Sequence, residues 1–69
     1  MFKNLRAEIA RKGINNFSDF ASIINMNSRT FAAKLSGISE FKLDEMKTIQ
    51  EAIGNGCTLD YLFENNSND

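Results

Sequence analysis

Bond-making chemistry has few residues to work with in this chain, whereas hydrogen-bonding chemistry has many. The 69 residues include no histidine and a single cysteine, Cys57. One thiol without imidazoles cannot assemble a structural zinc site, and it excludes an internal disulfide framework. Gly54-Asn55-Gly56 has the composition of a turn rather than a phosphate cradle, and no carboxylate pair is marked as belonging to a cleft. A non-enzymatic chain without cofactor is therefore expected. Between Asn16 and Lys42, by contrast, forked and bifunctional side chains collect: Asn16, Ser18, Asn27, Ser28, Arg29, Lys34, Ser36 and Lys42. A guanidinium donates in a planar fork and a hydroxyl both donates and accepts. Such groups recognise a surface without altering it.

The elements that must position these residues can be read from the stretch Phe17 to Gly37, FSDFASIINMNSRTFAAKLSG. Phe20, Ala21 and Ile24 recur at spacings of three and four, as do Phe31 and Leu35, so two short helices are predicted, from about Phe17 to Ile24 and from about Ser28 to Leu35. Asn25 falls where the first must stop. Among residues with a side chain, asparagine tolerates a left-handed backbone best, which suits a sharp helix-ending turn. Asn27 can cap the second helix by accepting from the amides of Arg29 or Thr30. Met26, just before that cap, is placed to touch Thr30 or Phe31 as a hydrophobic staple. Ser28, Arg29, Ala32 and Ala33 then occupy the outward front, opposite Phe31 and Leu35.

Around this unit the sequence predicts an all-α bundle of about five helices in one domain, residues 1–64, with a frayed tail at 65–69. A first helix from about Phe2 to Lys12 turns Phe2, Leu5, Ile9 and Ala10 inward and ends at Gly13. Asn16 caps the next helix, with Asp19 three residues on, and Ile14 packs back into the core. Ile38 and Phe41 anchor a loop. A fourth helix, Leu43 to about Ile53, turns Leu43, Met46, Ile49 and Ile53 inward, and Lys42 stands in its capping position. Thr58 can cap a last short helix from Leu59 to Phe63. The aromatic side chains belong to the core on these assignments, Phe17 being the one placed to be exposed.

Net charge is only −1, but it is unevenly distributed. Residues 1–42 hold seven cations and three anions, and residues 43–69 hold one cation and six anions. A basic front half can orient approach to a polyanion although the total charge does not attract it. The charged N-terminal stretch MFKNLRAEIARKG has no apolar run, so neither a signal peptide nor a membrane span is expected, and a cytoplasmic protein is.

Ala21, Asn25 where a glycine usually stands, Met26, Phe31, Leu35 and Gly37 together resemble the helix-turn-helix of the lambda-repressor-like superfamily, most of all the small phage Cro-like repressors of Gram-positive hosts. NLRAEIARKG resembles that family's opening helix, and FKLDEMKTIQ with TLDYLF its closing helices, so the likeness spans about residues 2–64. The chain departs from the pattern in Asn25, in one extra residue after Gly13, and in the two alanines of the second motif helix. The resemblance implies a phage or prophage transcription regulator of a bacterial cell that occupies operator DNA. It sets Ser28, Arg29, Ala32 and Ala33 against major-groove base edges. Arg29 would fork onto guanine, with a phosphate contact or a solvated charge as alternatives, and the alanines would meet thymine methyls or simply favour the helix. Asn16, Ser18, Asn27, Lys34, Ser36 and Lys42 would contact the DNA backbone. A homodimer is implied too, with Leu59, Leu62 and Phe63 as apolar surface. From another class, the same bundle would serve as a protein-interaction module or antirepressor that binds another regulator rather than DNA.

Overall fold

The computed structural model describes residues 2–64, so the tail expected at 65–69 lies outside the described residues. These fold into five α-helices with no strand among them: α1 Lys3–Arg11, α2 Phe17–Ile23, α3 Ser28–Leu35, α4 Leu43–Ile53 and α5 Leu59–Leu62. The bundle is all-α, as the apolar spacing predicts. Its boundaries follow local chemistry. Asn16 Oδ1 accepts from the Asp19 amide at 2.9 Å to start α2, and Thr58 Oγ1 accepts from Tyr61 N at 3.1 Å to start α5. At the end of α1, Gly13 takes a left-handed φ of 79° and returns its N–H to Ala10 O at 3.0 Å.

The fourth helix begins where the sequence places it, by a different device. Lysine has no acceptor to offer as a cap, and Lys42 is extended at φ −85°, ψ 157°. Glu45 reaches back instead, its carboxylate accepting from Lys42 N at 2.8 Å, which is half of a capping box.

One apolar cluster joins all five helices through Leu5, Ile9, Phe20, Ala21, Ile24, Phe31, Leu35, Phe41, Ile49, Ile53 and Leu62. Its centre is Phe31, fully buried, whose ring lies 5.6 Å from that of Phe20, 6.5 Å from Phe17 and 6.1 Å from Phe41. Phe41 in turn meets Phe2 at 5.5 Å and Phe63 at 5.1 Å. Burying a phenyl ring contributes about 1.5–3 kcal/mol, so this ring chain is a large share of what holds so small a core. Phe17 is half-buried rather than exposed.

Four inward assignments need correction, the first being Tyr61, which is 37% exposed with its hydroxyl bonded to Glu8 rather than packed in the core. Leu43 is 60% exposed, since the first residue of α4 lies beyond the edge of the core that Met46, Ile49 and Ile53 face one and more turns later. Ile38 is 81% exposed: the chain leaves Gly37 at φ 89°, and Phe41 alone of that loop returns to the core. Ala10 faces solvent.

Candidate nucleic-acid interface

The link between α2 and α3 is a complete helix-ending turn built on Asn25. Asn25 stands at φ 60°, its N–H bonds Ser22 O at 3.1 Å, and the Met26 N–H bonds Ala21 O at 2.8 Å. This pair of bonds is the Schellman arrangement, with asparagine in the left-handed position usually given to glycine. Ala21 is fully buried and Met26 half-buried against the core, so the turn is fixed from inside as well. Asn27 Oδ1 then accepts from Arg29 N at 2.9 Å and from Thr30 N at 3.4 Å. The turn is thus bonded back to α2 through Asn25 and Met26, and the start of α3 is bonded to Asn27.

On α3 the buried face is Phe31, Lys34 and Leu35. Ser28, Arg29 and Ala32 are exposed and Ala33 is half-buried, so three of the four sequence-selected front residues share an open surface and the fourth lies at its edge. Asn16, Ser18, Asn27, Ser36 and Lys42 are exposed as well. Asn16 and Asn27 have their side-chain oxygens engaged as caps, which leaves their amide NH2 groups as the outward donors.

Lys34, expected as a DNA-backbone contact, is where the structure departs from the sequence reading. Its side chain is 9% exposed, and its Nζ donates to both carboxylate oxygens of Glu45, at 2.5 and 2.7 Å. The charge is spent inside the molecule, between the last turn of α3 and the first turn of α4. Lysine bonding and the Lys42 amide together hold the Glu45 carboxyl below its ordinary range. Arg6 adds a second tie to α3, donating to Leu35 O at 3.4 Å with its guanidinium 5.5 Å from the Phe17 ring centre. A cation suits that carbonyl end of the helix.

A second polar cluster has no counterpart in the sequence reading. Glu8 is 4% exposed, and its Oε2 accepts from Arg11 Nη1 at 2.8 Å and from the Tyr61 hydroxyl at 2.9 Å. Asn4 Nδ2 donates to Tyr61 O at 2.9 Å, so α1 clasps α5 by two side chains. The bond to Glu8 raises the Tyr61 pKa. Only the spacing of Glu8 and Arg11, three apart, was visible in sequence. Leu62 is buried and Phe63 half-buried, so the late helix spends most of its apolar surface on its own core.

Folding also blunts the charge asymmetry, since Glu45 of the acidic half neutralises Lys34 of the basic half. Exposed cations remain at Lys3, Arg11, Lys12, Arg29, Lys42 and Lys47. Cys57 is a half-buried free thiol whose carbonyl accepts from Gln50 Nε2 at 2.9 Å. Among the described residues no helix is long and apolar enough to cross a membrane, and no three His, Cys, Asp or Glu side chains gather as a metal site would need. Compared with known proteins, the chain matches no family model, no curated relative and no solved structure.

Proposed function

We propose that this protein is a sequence-specific double-stranded DNA-binding regulator of the Cro or repressor type, with α3 as its reading helix. The observation that carries the reading is the fixed turn at Asn25 followed by a helix whose outward face is Ser28, Arg29 and Ala32. Eight residues of helix extend about 12 Å, which suits the major groove, itself about 12 Å wide. Arg29 lies in the first helical turn, where side chains reach base edges, and the exposed Ser36 and Lys42 would contact the backbone. Two copies on a palindromic operator would set their reading helices about 34 Å apart. Bound there, the protein blocks polymerase.

A second reading, a module that docks on another regulator, draws on the exposure of Ile38 and Leu43 beside a groove lined by Phe2, Phe41, Met46 and Phe63. A mobility-shift titration against the promoter region of its own gene, at two salt concentrations, decides between them. On the DNA reading a salt-sensitive shift appears, and Arg29→Ala costs about 1–3 kcal/mol on the preferred site with little change on random DNA. Absence of any shift at low salt would move the function to the second reading.

A further inference from the structure

We infer that Lys34 and Glu45 form a positioning device that sets the angle of α3 against α4; the inference rests on the DNA-binding reading and assigns Lys34 no phosphate. Lys34 is the buried cation of the described residues, and both oxygens of one carboxylate take its ammonium. That carboxylate is itself pinned to the start of α4, because Glu45 Oε1 also accepts from the Lys42 amide. One carboxylate therefore ties the last turn of α3 to the first turn of α4. The connecting loop is anchored at its ends, Gly37 and Ile38 bonding back to α3 and Phe41 entering the core. Ser36, Gly37, Ile38, Ser39 and Glu40 are exposed, so the Lys34–Glu45 bond is the direct side-chain tie between the facing turns of the two helices.

A partly buried ion pair adds little net stability over apolar groups of the same shape, since desolvation of the Lys34 ammonium offsets much of the attraction. What it adds is direction. Lys34 neighbours Ala33 and follows Ala32 and Arg29 by two and five positions, so a small rotation of this turn swings the whole outward face. With its charge compensated by Glu45, Lys34 releases no counterion when DNA binds.

The test compares wild type, Lys34→Met/Glu45→Gln and Lys34→Arg, first by selection from a randomised double-stranded DNA library, then on the selected and a scrambled duplex across a salt series. The double variant keeps net charge, side-chain volume and an acceptor for the Lys42 amide. It is expected to melt close to wild type, to keep the wild-type salt slope, and to lose about tenfold in preference for the selected duplex. Lys34→Arg, which keeps the pair, is expected to retain that preference. Should the double variant fold poorly, Glu45→Gln alone, which exchanges one oxygen for an NH2, must show the same loss. Preference undiminished, or a salt slope lowered by about one, overturns the inference alone. Wild type that selects no duplex overturns the DNA reading and the inference with it.

Discussion

The front of the molecule, α2 packed on α3 with the start of α4 tied to it, and its rear, α5 held against α1, use the same kinds of parts to different effect. Each has an asparagine in a left-handed turn, Asn25 at φ 60° in front and Asn55 at φ 57° behind. Each also has a polar clasp with one buried charge. In front the buried member is the cation Lys34, and Glu45 alone is seen to hold it. Behind, it is the anion Glu8, which has two donors, Arg11 and the Tyr61 hydroxyl. The front clasp has no redundancy and the rear one does. On the proposed DNA-binding function, a front surface presented at one angle would gain from a constraint without alternatives, whereas the rear, which closes the core, would tolerate the loss of one donor.

The largest test of this contrast removes the partner of each buried charge. Glu45→Ala strands the Lys34 ammonium in the core edge and takes the acceptor from the Lys42 amide, and it is expected to cost about 2–3 kcal/mol. Arg11 is 69% exposed, and without it Tyr61 still donates to Glu8, so Arg11→Ala is expected to cost under about 1 kcal/mol. Urea denaturation of both variants gives the comparison directly. Equal losses would mean that the clasps are equivalent and that the front has no special rigidity.

A somewhat smaller effect distinguishes the turns. Met26 and Asn25 amides are tied to α2, so the strain of a β-branched residue cannot be shed, and Asn25→Val is expected to cost about 1–3 kcal/mol. Asn25→Gly should be neutral or stabilising. Asn55 is exposed and flanked by Gly54 and Gly56, themselves at φ 67° and 70°, which can redistribute the distortion. Asn55→Val is accordingly expected to cost less than Asn25→Val, under about 1 kcal/mol. Thermal melts of the four proteins settle the order, and a larger loss at Asn55 would reverse the assignment of front and rear.

What could be read from the sequence was whatever is decided within one turn of helix. Ser28–Leu35 and Leu43–Ile53 appear with the bounds expected, and Asn16, Asn27 and Thr58 cap as expected, because each depends on neighbours two or three residues away. The outward face of α3 was legible for the same reason. Lys34 was not, since its partner lies eleven residues on, and Glu8 was not, since Tyr61 lies 53 residues away. A helical period says which side of Lys34 faces inward but not that a carboxylate waits there. Leu43 and Ile38 were misplaced by the converse error: periodicity gives a direction for an apolar side chain and no information on where the core ends.

The smallest effect is also the most specific, because the two clasps must fail at opposite ends of the pH scale. Glu45 has its pKa lowered from an ordinary value of 4.5, so its contribution is complete above that value and is lost as pH falls through the lower value of the folded state. Tyr61 has its pKa raised from an ordinary value of 10.0, so its contribution is complete below that value and is lost as pH rises through the higher value of the folded state. Other groups titrate in both ranges, and the useful quantity is therefore a difference between proteins. Wild type minus Glu45→Gln should shrink in melting temperature as pH falls below the ordinary 4.5 and through the lower value of the folded state. Wild type minus Tyr61→Phe should shrink above about pH 10, where the phenolate can no longer donate to Glu8. A Tyr61→Phe difference that stays constant through the alkaline range would mean that the hydroxyl is a bystander and that Glu8 rests on Arg11 alone, and the redundancy of the rear clasp would have to be withdrawn.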